Sequence, residues 1–184
     1  IWRINFNIKN DLNKNHSYIL IPMNNFQHQH TAHCESGVMS TMLKAQGVDF
    51  NEAMVFGLAS ALTFVYIPLV KINGLPLISY RMPPRSIIKR LSKQLKVRLK
   101  MQKFRSPQAG QQALDQALTE EKLVGLQTSV FWLPYFPPEM RFHFNAHNLI
   151  VYGKEQNDYL ISDPVFESVQ RCTAEDLQRA RFAK

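Results

Sequence analysis

Residues 142–164 read FHFNAHNLIVYGKEQNDYLISDP. Within this stretch His147 opens an apolar run, GKEQND at 153–158 makes a polar turn, and a second apolar run ends at Asp163 before Pro164. Two such runs predict an antiparallel hairpin, in which the first residue of one strand lies beside the last residue of the other. His147 and Asp163 therefore fall at the same end of the hairpin. Each alone has an ordinary reading: a core histidine, and a turn aspartate ahead of a proline. Together they make the pair that a cysteine nucleophile needs, a base and a group to orient it.

Toward the N-terminus the matching nucleophile is Cys34, in HQHTAHCESG at 28–37. A helix is predicted from Cys34 to Gln46, with Val38, Met42 and Leu43 on one face and Gly47 as its stop. A cysteine at a helix N-terminus meets unpaired N–H groups and the positive end of the macrodipole, which favour the thiolate. The competing reading is a small buried hydrophobe, the usual fate of a free cysteine. A third reading is zinc, since His28, His30, His33, Cys34, His143 and His147 are all ligand types. The spacing His-x-His-x-x-His-Cys is not a standard one, and neither CxxC nor HExxH occurs, so no metal and no cofactor is assigned.

The other segments fill in the fold. DFNE at Asp49 to Glu52 has the pattern of a capping box, opening a second helix to about Ser60. LTFVYIPLVKI, Asn73-Gly74 and LPLISYRM predict a hairpin with a type I′ turn, its prolines pushing the strands toward an edge or a bulge. Ser106-Pro107 caps a helix running to about Glu121. KLVGLQTSVFWL reads as a strand and PYFPPEM as a rigid loop. Three strands follow at Ala146–Tyr152, Tyr159–Ser162 and Ser168–Arg171, then a last helix capped by Thr173 to Asp176. Helices lead and strands dominate the second half, which is the order of an α+β fold rather than of βαβ units.

At 184 residues with an ordinary apolar share, the chain fits one domain. Residues 1–22, rich in Asn, Ile and Lys and without a clear period, read as an atypical extension, with the functional unit at 23–184. Two cysteines make no disulfide framework, and no secretory signal is visible, so a reducing, cytoplasmic compartment is expected. The charge-free run 53–70 reads as the end of a buried helix and a buried strand, not as a membrane span. The net charge of +8 is concentrated at 85–105, RSIIKRLSKQLKVRLKMQKFR, which has nine cations and no acid. There Ile88, Leu91, Leu95, Leu99 and Gln102 fall at helical spacing and predict one basic helix.

A cysteine on an N-terminal helix with a distant His-strand-turn-strand-Asp-Pro resembles papain-like cysteine enzymes, including the bacteriocin-processing peptidases. More closely, the HC that opens a helix, GVDFNEAMVFGLASALTFVY, LPYFP, HNLIVYG and ISDP resemble the N-terminal domain of the butirosin biosynthesis protein H family, over roughly Asn24 to Cys172. The resemblance implies a papain-like fold, with N-terminal helices packed on an antiparallel sheet. It implies acyl transfer from a carrier-protein thioester, through the cysteine, to an amine or similar small-molecule acceptor. Carried over by position, Cys34 is the nucleophile, His147 the general base and acid, and Asp163 the orienting carboxylate. An oxyanion donor is expected upstream of the cysteine. Gln29 is preferred over Gln27, although the usual separation of six residues falls on His28. His33 and His143 are candidates to line the cleft. Family members continue into a second, C-terminal domain, so one is expected beyond Lys184.

The basic block has three readings: a solvated face, a docking surface for an acidic acyl carrier protein, or a membrane- or nucleic-acid-binding surface. The docking reading uses Lys89, Arg90, Lys93, Lys96, Arg98 and Lys100. No aromatics are interleaved with the cations, which argues against single-strand binding. Two further functions compete with acyl transfer: a cysteine peptidase on the same scaffold, and a non-catalytic module that binds an acidic partner.

Overall fold

The computed structural model describes residues 3–7, 26–72, 74–96 and 98–183. The fold is α+β. A six-stranded antiparallel sheet runs in the order β4-β1-β5-β6-β7-β8, and a separate two-stranded sheet is formed by β2 and β3. The strands are β1 (Arg3–Asn7), β2 (Leu62–Ile72), β3 (Leu75–Arg81), β4 (Arg98–Met101), β5 (Val124–Thr128), β6 (His147–Glu155), β7 (Asp158–Ser162) and β8 (Gln170–Thr173). The helices are α1 (Cys34–Ala45), α2 (Glu52–Leu58), α3 (Ser86–Gln94), α4 (Pro107–Thr119) and α5 (Ala174–Phe182).

Side-chain alternation along the central strands splits the core into two layers. Leu126, Leu149 and Val151 pack with Leu114 and Ala117 of α4 and Leu177 and Ala180 of α5. Ile150, pointing the other way, packs with Val38, Met39, Met42 and Leu43 of α1, Val55 of α2, and Ile87, Ile88 and Leu91 of α3. Burying each of these larger aliphatic side chains is worth about 1.5–3 kcal/mol. The sheet is therefore sandwiched, and α1 is pressed onto β6 with its N-terminus at the end of the strand where His147 begins.

Local chemistry sets the ends of α1 and α4. Gly47 has φ +80°, the left-handed conformation that stops α1, and its N–H returns to the Lys44 carbonyl at 2.9 Å. Ser106 caps α4 by accepting from Ala109 N–H, with Pro107 at its first position.

Several expectations are corrected. The basic block is not one helix. After Leu95 ends α3, Lys96 takes φ +52°, and Arg98–Met101 becomes β4, paired with β1. The alternation Arg-Leu-Lys-Met satisfies a strand period, while Leu95 and Leu99 satisfy a helical one; an available edge on β1 decides between them. Residues 3–7, which read as part of an extension, form β1 between β4 and β5. The remainder of that segment up to residue 25 lies outside the described residues. Asn51, not Asp49, caps α2 by accepting from Met54 N–H. The run 53–70 is neither a membrane span nor a buried strand. No helix among the described residues is long and apolar enough to cross a membrane. β2 instead projects with β3 as an exposed hairpin, with Phe64 67% and Leu69 94% exposed. Its register slips between Ile67 and Lys71, around Pro68. Gly74 has φ +83°, as its turn requires; the type I′ assignment also needs Asn73, which lies outside the described residues.

Candidate active site

Cys34 is the first residue of α1, and the loop before it is tied down from three sides. His33 is the N-cap: its Nδ1 accepts from Ser36 N–H at 3.3 Å. Burial and Arg81 lower the His33 pKa, with Glu52 pulling the other way, so the ring caps as a neutral acceptor. The Glu52 carboxylate accepts from Ala32 N–H at 3.0 Å, His33 N–H at 2.7 Å and the Ser36 hydroxyl at 3.0 Å. Thr31 N–H donates to the Pro164 carbonyl at 2.6 Å, joining this loop to the residue after Asp163. Gly37 permits that approach. A Cβ there would overlap Thr31 Oγ1 and come within 2.8 Å of Pro164 Cβ.

The hairpin β6–β7 supplies the partners. His147 Nε2 donates to Asp163 Oδ2 at 2.7 Å, with the carboxylate fully buried and the His147 side chain 6% exposed. Asp163 Oδ2 also accepts from the Tyr135 hydroxyl at 2.8 Å, and its Oδ1 accepts from Val165 N–H at 3.2 Å. Each oxygen of the buried carboxylate is thus hydrogen-bonded, as a buried anion requires. With Nε2 committed to Asp163, Nδ1 is the ring nitrogen left for Cys34. The ring and the thiol perturb each other's ionisation through hydrogen bonding and charge. Phe136 packs edge-on against the imidazole, its centroid 5.3 Å away.

The electrostatics favour an ion pair. Burial opposes ionisation of Cys34, but the hydrogen bond and charge of His147, with N–H donors from Asn148, outweigh it and lower the thiol pKa. Burial likewise opposes protonation of His147. The hydrogen bonds and charges of Asp163 and Cys34 prevail and push its pKa up to about 9. Both shifts favour the thiolate–imidazolium pair over the neutral thiol and imidazole.

Three contributors escaped the sequence reading. Asn148 donates from Nδ2 to Cys34 Sγ at 3.8 Å. Tyr135, inside the LPYFP segment, holds Asp163. Glu35, beside Cys34 and only 4% exposed, accepts from Arg85 N–H at 2.9 Å and Ile88 N–H at 3.1 Å. Arg85 is the N-cap of α3 and gives it no side-chain cap, so Glu35 supplies one from α1. Burial raises the Glu35 pKa against those backbone donors. The one signal in sequence was the arginine at a helix start, a position that wants a short acceptor.

Other predicted residues separate. The cleft over Cys34 is walled by His33, Arg81, Met82, Phe144, Ala146 and Asn148. Gln29 and His143 are not in that wall; His143 stacks on Phe131 at 4.1 Å between centroids. His28 turns to Ser162 Oγ at 2.7 Å and the Phe166 carbonyl at 3.0 Å, and His30 is exposed. Among the described residues no three His, Cys, Asp or Glu side chains converge as a metal site. Of the six cations proposed for docking, Lys89, Lys93 and Lys96 are exposed, whereas Arg90 donates to the Ala59 and Ser60 carbonyls at the end of α2. The side chains of Arg98 and Lys100 lie outside the described residues.

A family model described as butirosin biosynthesis protein H, N-terminal, matches residues 33–164, from the cap of α1 to the proline after Asp163. No curated protein and no solved structure matches the chain.

Proposed function

The chain belongs to the butirosin biosynthesis protein H family, through its N-terminal part, and from that premise we propose that it is a cysteine acyltransferase of papain-like architecture. It takes an acyl group from a carrier-protein thioester and passes it to an amine or similar acceptor. The observation that carries this reading is the arrangement at the end of β6. A thiol at a helix N-terminus accepts from Asn148, and the neighbouring His147 imidazole has its Nε2 held by a fully buried carboxylate.

Each residue then has a step. The Cys34 thiolate attacks the thioester carbonyl, forming an S–C bond while the carbonyl electron pair moves to oxygen. As the intermediate collapses, the carbon–sulfur bond to the donor breaks, and the His147 imidazolium protonates the departing thiolate. The acyl group now rests on Cys34 and His147 is neutral. The acceptor amine attacks, His147 takes its proton, and collapse returns the thiolate beside an imidazolium. Asp163 keeps Nε2 as a donor, so Nδ1 always faces the sulfur.

The basic surface supports a carrier as donor. α3 begins two residues after Pro84, beside the Arg81–Met82 wall, and carries Lys89 and Lys93 outward. Acidic partners are steered by such a patch. Incubation with an acyl-loaded carrier protein, read by intact mass, tests the reading. An acyl adduct is expected on wild type and not on Cys34→Ala. An adduct that persists in Cys34→Ala removes the nucleophile assignment. Peptide cleavage with no adduct from any carrier moves the reading to a peptidase.

A further inference from the structure

The tetrahedral intermediate needs donors for its oxyanion, and Gln29, the residue the resemblance suggested, is not in the cleft wall. The structure offers another amide. Asn148 is only 2% exposed and lines the cleft. Its Nδ2 donates one hydrogen to the Ala146 carbonyl at 3.0 Å and points the other at Cys34 Sγ at 3.8 Å. The orientation of the amide is determined by its partners. Flipped, the amide oxygen would face the Ala146 carbonyl and the thiolate, two acceptors. Its register partner on β5 is Gln127, whose Oε1 accepts from Arg85 Nε at 2.9 Å.

Building on the acyl-transfer reading, we propose that Asn148 is the side-chain donor of the oxyanion hole. In the resting enzyme its free N–H points at the thiolate. When Cys34 attacks, the sulfur becomes part of a thioester-like S–C bond and stops being a strong acceptor. The negative charge appears on an oxygen two bonds from that sulfur. A donor 3.8 Å from Sγ stands within reach of an oxygen two bonds from that sulfur, where a donor must lie roughly 2.7–3.1 Å from the oxyanion. The N–H therefore passes from sulfur to oxygen with a small rotation. The second donor is the Cys34 backbone N–H, which at the first position of α1 has no partner within its own helix.

This role separates from simple support of the thiolate, because alkylation by iodoacetamide develops no oxyanion while acylation by a thioester does. The probes are iodoacetamide and a small S-acyl thioester of N-acetylcysteamine, each read by intact mass on wild type, Asn148→Ala and the near-isosteric Asn148→Leu. Thermal melts identify which variants are folded. Acylation at saturating thioester should fall about 10²–10³-fold, with the half-saturating concentration unchanged, while alkylation changes less than about tenfold. Parallel losses in both reactions would reduce Asn148 to a thiolate support and overturn the proposal, and so would acylation at the wild-type rate in a folded variant. Wild type that alkylates normally but takes no acyl group would strike the acyl-transfer reading itself, and this proposal with it.

Discussion

Replacing Asp163 with Asn keeps the shape of the site and removes its buried charge. Asp163 Oδ2 accepts from both His147 Nε2 and the Tyr135 hydroxyl, and Oδ1 accepts from Val165 N–H. An amide has one acceptor and one donor end, so no orientation satisfies all three. With its oxygen toward His147, the NH₂ opposes Val165 N–H. With its NH₂ toward His147, the imidazole must carry its proton on Nδ1, aimed at the sulfur it should deprotonate. The His147 pKa stands at about 9 against an ordinary 6.5. Of the groups that raise it, Asp163 precedes Cys34 in both hydrogen bonding and charge. Its removal therefore forfeits the larger share of the raise, on the order of 2 kcal/mol. With a neutral imidazole beside it, Cys34 keeps only its burial penalty and the Asn148 donors, and its pKa climbs toward or past that of a free thiol.

The assay is the rate of Cys34 alkylation by iodoacetamide between about pH 5 and pH 10, followed by intact mass. Wild type should react below the pH at which a free thiol ionises, and acyl transfer should lose its general acid above about pH 9. In Asp163→Asn, alkylation near neutrality should drop and rise steadily with pH. Acyl transfer should fall by about 10²–10⁴-fold. Urea melts separate this from a loss of stability of about 1–3 kcal/mol for the unsatisfied contact. A folded Asp163→Asn with the wild-type alkylation profile would refute the ion-pair reasoning.

Gly37→Ala should impair the reaction more than the fold. The added Cβ forces Thr31 and Pro164 apart and so moves the end of α1 from Asp163; turnover should fall at least about tenfold, for a stability loss of about 1–3 kcal/mol by denaturant melt. Lys89→Glu with Lys93→Glu should slow acylation by a carrier protein by about tenfold or more at low salt, with the deficit shrinking as salt rises, yet leave acylation by a small thioester unchanged. Equal effects on both donors would remove α3 as the docking face.

The elements that could be read from sequence are those whose signals are local. The pairing of His147 with Asp163 follows from two apolar runs and one polar turn, and β6–β7 pair through that turn. Gly47 and Ser106 mark helix ends because their effects act within one turn. The basic block failed for a related reason: both periods fit it, and the choice was made by β1, some ninety residues away in sequence. RINFN at 3–7 does alternate apolar and polar residues, but five residues in an Asn-rich stretch carry little weight without the partners on either side. The exposed hairpin misled by composition, because an apolar run implies burial only where something packs on it.

The site divides along the same line. Cys34, His147 and Asp163 could be singled out because a cysteine, a histidine and an aspartate are distinctive residue types at distinctive element ends. What joins them was not, because it consists of contacts rather than types. Glu52 looked like part of a capping box, but its carboxylate reaches back to Ala32 and His33, while Asn51 does the capping. His28, a ligand type in the zinc reading that was not adopted, ties the cysteine loop to Ser162 and Phe166, on either side of Asp163. With Thr31 on the Pro164 carbonyl, that is a second strap between the same two segments. The histidine-rich loop thus acts mechanically. It fixes the end of α1 against the end of β7, so that a cysteine and an aspartate distant in sequence meet one imidazole from opposite sides.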